Sequence, residues 1–466
     1  MTKPVRTISK VSDARLGGWL PHNPQHTALW IQKLRLKVRA SPQPLVEPIA
    51  VFRQLVYGDP VLYANVQGMF AEAHFLESST PLGWQPEPLN FEDFLALLNA
   101  IMCTAPEAYQ SETNGTQGAA GLIGFPINAL LDWPMGTSFG YDVFSNALVN
   151  QQFKKILQYW SVFLGTEASR YVLTQDDPAS DALAWLNPIV QAEMVNAAQT
   201  AFGPAPNPIT TDATFAQVFN CNPADPWYGF RSWDDFFTRT FRDGVRPVSG
   251  IGDDSIIVNA CESGPLAITH NVALSDAFWL KDQRYSLENM LNWDEYTPQF
   301  AGGDGATVYQ AFLSALSYHR WHSPVSGTIK KAYVVNGAYY LENLQQGFFD
   351  PNGADQVAPN NSQAFLTAVA TRALIFIEAD NPDIGLMCVM PVGMAEVSSC
   401  DIAVQPGQHV EKGDELGMFH FGGSTHCLIF RPGVNLVFTS YEPSGLSAGN
   451  VRVNAELAVV RPASRA

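Results

Sequence analysis

From Leu45 to about Ala201, apolar residues recur at steps of three and four: Ile49, Phe52, Leu55 and Val56; Leu62, Val66, Met69 and Phe70; Phe94, Leu97, Leu98 and Ile101; Phe153, Ile156, Leu157 and Trp160. That spacing puts each set on one face of a helix. Turn clusters at Gly58-Asp59-Pro60 and from Pro134 to Gly140 separate the helices, and no grouping of residues here demands chemistry. The segment reads as a helical accessory domain. The stretch Phe202-Gly203-Pro204-Ala205-Pro206-Asn207-Pro208 cannot continue a helix, because proline lacks the N–H and clashes with the preceding turn, so it predicts a linker. Past it, Ser232-Trp233-Asp234-Asp235-Phe236-Phe237 has a capping-box pattern that opens one short helix. Glycine-punctuated, β-branched runs then dominate. Between Val404 and Phe419, Pro406-Gly407 and Lys412-Gly413-Asp414 stand as turns between short apolar strands, a compact hairpin array. The expected fold class is α+β. A basic arm over residues 1–40 precedes a helical domain over 41–210 and a mostly antiparallel β domain over 216–466.

With 466 residues, 46% hydrophobic and 15% charged, the chain can bury the cores of two or three domains. Its net charge of −17 is uneven: residues 1–40 hold eight Lys or Arg against Asp13 alone, which leaves −24 on the remainder. Such an acidic body repels phosphate backbones and anionic lipid surfaces. It argues against nucleic acid and against tight membrane docking, and suits a small amine-bearing substrate. Six cysteines without a C-x-x-C pair fit a reducing compartment and predict no disulfides. No apolar run approaches the roughly 20 residues of a membrane-spanning helix, and the N-terminus lacks a secretory signal's apolar stretch. The expectation is a cytoplasmic protein. The acid-poor opening leaves a transit peptide as an alternative, although Gly17-Gly18-Trp19-Leu20-Pro21 and Leu29 to Leu34 have the look of ordered structure.

Two runs carry candidate chemistry. In Phe421-Gly422-Gly423-Ser424-Thr425, two glycines let the backbone take strained turns and leave the Gly423 carbonyl sterically open. The run supports two readings. One is a tight turn. The other is self-cleavage: the Ser424 hydroxyl attacks the Gly423 carbonyl, the amide becomes an ester, β-elimination frees the Gly423 carboxylate and leaves dehydroalanine, and hydrolysis with loss of ammonia gives a pyruvoyl group. The second run is Tyr318-His319-Arg320-Trp321-His322-Ser323-Pro324, two imidazoles in a chain of nine histidines. Histidine carries protons near neutral pH, yet one ring packed in the core and one at the surface explains the run equally well. A zinc site needs three or four ligands, and no third of convincing spacing lies nearby, so no metal is expected.

Several motifs together resemble the phosphatidylserine decarboxylase family: Phe236-Phe237-Thr238-Arg239 with Arg246-Pro247, Lys281 to Tyr285-Ser286-Leu287, the two-histidine run, and Gly413-Asp414-Glu415-Leu416-Gly417 leading into Gly422-Gly423-Ser424-Thr425. The resemblance spans about residues 216–466, in the family's order. Ala260-Cys261-Glu262-Ser263, Thr297-Pro298-Gln299-Phe300, Phe376 to Asn381 and Gly417 to Ser424 look most like members that decarboxylate L-tryptophan, which share a helical N-terminal extension. The resemblance implies a β catalytic domain of that family's type, cut between Gly423 and Ser424 into two chains that stay together. Ser424 becomes the covalent pyruvoyl cofactor, His322 is the base for self-cleavage, and His319 serves the decarboxylation. Glu262 stands where the lipid enzymes have an aspartate that orients the histidine, and its extra methylene requires a wider gap to His322. Asp282 replaces a usual glycine. The implied reaction is L-tryptophan to tryptamine, with phosphatidylserine decarboxylation as the alternative. Thr425 and nearby N–H groups are candidates to stabilise the maturation oxyanion. Two other classes fit less well. A lipoyl-type carrier would need a lysine at a hairpin tip, and Lys412 lies in the wrong turn. A serine hydrolase built on Ser424, His322 and Glu262 lacks the G-x-S-x-G elbow.

Overall fold

The computed structural model describes residues 24–79, 87–113, 116–123, 125–174, 182–275, 285–314, 316–344, 346, 362–396, 399–421, 424–439 and 449–462. The N-terminal part is built on α1 (Pro24–Ala40), α2 (Glu47–Gly58), α3 (Pro60–Ser79), α4 (Phe91–Ile101), α5 (Pro126–Met135), α6 (Ser138–Ser145), α7 (Ala147–Leu164) and α8 (Pro188–Thr200). The sequence patterns explain the packing. On α3 the whole set Leu62, Val66, Met69 and Phe70 is buried, and on α7 so is Phe153, Ile156, Leu157 and Trp160. Side-chain caps fix where helices start: Asn90 accepts from the Asp93 N–H at 2.9 Å on α4, and Asn146 from Leu148 N–H at 2.9 Å on α7. Helix α1 lies within the expected basic arm and buries Trp30 and Leu34. One feature departs from the helical expectation: β1 (Glu107–Thr113) and β2 (Thr116–Ile123) form an antiparallel pair, extended by β3 (Ala182–Leu183).

The C-terminal part contains short helices α9 (Phe215–Val218), α10 (Trp233–Phe237), α11 (Leu287–Met290) and α12 (Gln363–Val369). Its strands are β4 (Ile256–Val258), β5 (Gly264–Val272), β6 (Ala306–Leu313), β7 (Arg320–His322), β8 (Gly327–Val335), β9 (Arg372–Ala379), β10 (Leu386–Gly393), β11 (Ser399–Ile402), β12 (His409–Val410), β13 (Glu415–His420), β14 (Ser424–Phe430), β15 (Asn435–Phe438) and β16 (Glu456–Arg461). The main sheet has seven strands in the order β12-β8-β9-β10-β14-β6-β5, flanked by three-stranded sheets β11-β13-β7 and β15-β16-β4. All pairings among these strands are antiparallel, and the fold class is α+β. Strands β10 and β14 are buried along their whole lengths; β10 accordingly reads as a nearly unbroken apolar run rather than an alternating one, whereas β14 opens with the buried polar residues Ser424, Thr425 and His426 before its apolar end. Neighbouring residues show what covers each face. Tyr309 stacks on Phe438 of β15, while Gln310 reaches Tyr285 and the Gln363 carbonyl beside α12.

The predicted helix start at Ser232 is present, with its hydroxyl accepting from Asp235 N–H at 3.0 Å. Asp235 reaches the Arg231 N–H at 2.9 Å, one residue before the one that the capping-box pattern names. The Pro-rich stretch is tied down: Phe202 N–H donates to the Asn450 carbonyl at 2.8 Å, and Arg452 holds the carbonyls of Ala205 and Pro206. The turns around Gly407 and Gly413 lie between β11, β12 and β13 as the pattern predicts. Lys412 donates to the carbonyls of Asp253 and Ile256 at 2.7 and 3.0 Å, an anchored position unlike that of a carrier lysine. The six cysteines are free thiols. Among the described residues, no helix is long and apolar enough to cross a membrane.

Candidate active site

Ser424 opens β14 at the rim of the main sheet, opposite Gly393 of β10 and Leu313 of β6. Strand β13 leads into β14 and β6 leads into β7; β14 pairs with β6 and β13 pairs with β7, with the Phe419 N–H on the His319 carbonyl at 2.9 Å. This end-to-end pairing brings the Gly-Gly-Ser run and the two-histidine run to one rim. Ser424 is fully buried, and its Oγ has no hydrogen-bond partner among the described residues. A dry hydroxyl without a partner costs about 1–3 kcal/mol, a cost that singles out groups kept for chemistry. Phe421 has φ +57, a left-handed conformation that is strained for a bulky residue. Its ring is wedged between Trp160 of α7 and Trp233 of α10, at centroid distances of 5.8 and 6.4 Å. Gly422 and Gly423, like Lys281 and Asp282, lie outside the described residues.

His322 is half-buried between two partners. Nδ1 is 2.7 Å from the carbonyl of Gly413, and Nε2 is 3.0 Å from the Tyr318 hydroxyl. A carbonyl can only accept, so the proton is on Nδ1 and the Nε2 lone pair accepts from Tyr318. Gly413 sits at φ +93, a conformation open to glycine that turns its carbonyl toward the ring. Burial lowers the His322 pKa from the ordinary imidazole value. The expected pairing of Glu262 with His322 is absent. Glu262 is buried and receives a bidentate bond from Arg246, at 2.9 and 2.5 Å, together with the Val453 N–H at 2.8 Å. The guanidinium's fork satisfies both carboxylate oxygens at once, which one imidazole nitrogen cannot do. The link to the histidine is a column of rings instead: Arg246 over Phe241 at 4.5 Å, Phe241 on Tyr318 at 4.5 Å, and Tyr318 on His322 at 5.7 Å.

His319 is buried and stacks on Phe237 with centroids 4.2 Å apart. Burial and the nearby Arg239 charge push its pKa well down, against a hydrogen bond with the Ser314 backbone. Arg239 is itself buried, with its pKa lowered to about 10, and donates to the Leu316 carbonyl at 2.9 Å. Thr425 faces away from Ser424, as neighbours on a strand do, and its hydroxyl is committed to the Ala311 carbonyl at 2.9 Å. That removes the Thr425 side chain as an oxyanion donor. Among the described residues there is no cluster of three His, Cys, Asp or Glu able to hold a metal.

Sequence reasoning left several residues at this rim without a role. His420 bonds Asp234 through Nδ1 at 2.9 Å and lies 3.5 Å from Asp401 through Nε2. Burial pulls its pKa down, but the bond to Asp234 and the two negative charges outweigh that and raise it. His426 shares the Ser424 face, fully buried, with its pKa lowered to about 3 by burial. Its position two residues past Ser424, the period of a strand, was a usable signal. Tyr318 and Arg246 stood within quoted motifs, but their partners are fixed only by tertiary structure.

Comparison with known proteins decides the family. A phosphatidylserine decarboxylase model matches residues 233–454, and a second with the same description matches 46–194. An L-tryptophan decarboxylase of Psilocybe cubensis is 35% identical over 393 residues, 83% of this chain and 81% of that protein. The chain belongs to the phosphatidylserine decarboxylase family. Another member, described as Decarboxylase iboD, from Amanita muscaria, is 40% identical over 73% of this chain and 93% of its own length. Phosphatidylserine decarboxylase proenzyme 3 of Schizosaccharomyces pombe is 29% identical, over 46% of this chain and 20% of that protein. Like its relatives in the phosphatidylserine decarboxylase family, this chain is a carboxy-lyase.

Proposed function

We propose that the chain is a pyruvoyl-dependent decarboxylase of an aromatic L-amino acid, converting L-tryptophan to tryptamine in the cytoplasm after self-cleavage between Gly423 and Ser424. The observation that carries this reading is the Ser424 hydroxyl: buried, without a partner among the described residues, and at the head of a central strand directly after a glycine pair. Ser424 would hold the pyruvoyl group, which when formed supplies a ketone that takes up the substrate amine and draws off the electron pair as carbon dioxide leaves. The other roles fall to the chain's own side chains. His322 is the base for the Ser424 hydroxyl once the Tyr318 hydroxyl leaves the Nε2 lone pair that it occupies. His319 returns a proton to the substrate's α-carbon; burial, with the Arg239 charge, holds the resting ring neutral, so it first takes that proton up from solvent and then gives it up readily. Glu262 acts at one remove, by fixing Arg246 under the Phe241–Tyr318 column.

Coverage favours the amino acid over the lipid. The similarity to L-tryptophan decarboxylases extends over 83% and 89% of this chain, whereas that to phosphatidylserine decarboxylases stays between 43% and 53%. Intact-mass measurement of the purified protein, beside assays with L-tryptophan and with phosphatidylserine vesicles, tests the reading. Two fragments meeting at Gly423–Ser424 and release of tryptamine are expected. Ser424→Ala should stay a single inactive chain, and His319→Asn should be cleaved yet slower in turnover by about 100-fold or more. An active single chain, or turnover of the lipid alone, would sink the proposal.

A further inference from the structure

Beyond Gly393, the partner of Ser424 in β10, the chain carries a second buried carboxylate to the boundary with the helical domain. Ala395 takes a left-handed conformation, φ +52, and the next residue, Glu396, is fully buried. Its Oε1 accepts the N–H groups of Ile127 and Asn128, at 2.6 and 2.7 Å, two first-turn donors of α5. That cap accounts for one oxygen. The other, Oε2, has no partner among the described residues, and neither does the hydroxyl of Tyr340, a buried ring packed on Phe144 and Phe153 that lies within the Glu396 field. Two buried polar atoms, on side chains close enough for the Glu396 charge to act on Tyr340, thus stand without a partner among the described residues, each at a cost that a structural cap does not explain.

Their place in the fold suggests what would satisfy them. Ser424 and Gly393 stand opposite each other on adjacent strands, about 5 Å apart, and three residues of chain span at most about 10 Å. Glu396 therefore lies no more than about 15 Å from position 424, a gap that an aromatic amino acid held there through its amine and the Glu396 side chain can share. We propose that Glu396 is the specificity-determining residue of the site: Oε2 accepts a hydrogen bond from an N–H or O–H on the substrate's side chain, an indole N–H foremost, with the Tyr340 hydroxyl beside it. The inference rests on the amino-acid reading above and adds to it the group that selects the side chain. Acceptance needs the ionised carboxylate. Burial raises the Glu396 pKa to about 8, and among the described residues the titratable side chain seen to feel its charge is Tyr340, so selection of a donor-bearing ring strengthens as pH rises toward that value.

The test compares L-tryptophan, 1-methyl-L-tryptophan and L-phenylalanine on purified full-length protein. Glu396→Gln keeps an acceptor for the two α5 donors and puts an NH2 where Oε2 stood. The preference in kcat/KM for tryptophan over phenylalanine should fall by about 10-fold or more, and the discrimination against 1-methyl-tryptophan should vanish. In the wild type, the tryptophan preference should increase between about pH 6.5 and 8.5, a change that a purely structural cap would not produce. Tyr340→Phe, which leaves the α5 cap intact, should shift the same ratio in the same direction, and it carries the test if the glutamine variant does not fold. Unchanged ratios in both variants, with cleavage and melting temperature preserved, would overturn the inference while leaving the decarboxylase reading standing. A cleaved wild type that acts on none of the three amino acids would overturn both.

Discussion

The Tyr318 hydroxyl donates to the lone pair of His322, which stabilises the neutral ring, and burial acts in the same direction. If His322 is the base for self-cleavage, it stays neutral below its ordinary pKa of about 6.5 and is lost as a base only in more acidic solution. Tyr318→Phe removes the donor, so the acid limb of self-cleavage should move to higher pH, read from fragment appearance in newly made precursor between about pH 5 and 8. An unmoved limb would mean that the tyrosine does not hold the base. The candidate residues stand out in the sequence, because a glycine pair before serine and two histidines in one short run are sparse patterns. Their partners do not. A sequence does not say whether Glu262 will meet His322 or Arg246, and the bidentate fork decides it in space. Glu396 lies in Met394-Ala395-Glu396-Val397, with nothing periodic about it; its burial comes from docking of α5.

Elements meet at this rim by charge as well as by packing. The end of β13 is pinned to α10 by His420 and Asp234. The folded pKa of His420 is raised, so the pair's contribution is fully present below the unfolded value of about 6.5 and is lost as pH climbs through the folded one. Asp234→Asn should therefore lower the melting temperature more at about pH 5.5 than at pH 8.5, with a loss of about 1–3 kcal/mol on the acid side. Equal losses at both would assign Asp234 a packing role only. Helices with strong three-and-four spacing were read correctly in α2, α3, α4 and α7. The β1–β2 hairpin was missed because helical sets flank it on both sides and the polar run Tyr109-Gln110-Ser111-Glu112-Thr113 offers neither a helical face nor an apolar strand. A buried strand such as β10 announces itself as an apolar run, but the order in which seven strands assemble is not written in any one of them.

At the scale of the molecule, the helical domain covers the reactive rim. Trp160 lies on Phe421, Phe144 and Phe153 on Tyr340, Lys154 donates to Asn336 at 2.6 Å, and α5 sits on Glu396. Trp160→Ala should cost about 3–5 kcal/mol and also slow self-cleavage, because Phe421 loses one of the rings that hold its strained backbone. A melt and the cleaved fraction, measured together, check both; full cleavage at the wild-type rate would confine Trp160 to stability. The position of β14 has one more consequence. It is an inner strand, with β10 on one side and β6 on the other, and β16 behind it completes another sheet. If the bond before Ser424 is cut as proposed, the piece that supplies these strands is no longer tethered, yet it remains woven through the middle of the larger one. Unfolding the mature enzyme would then release two molecules, and its recovery from denaturant would depend on protein concentration, as the recovery of the uncut precursor would not.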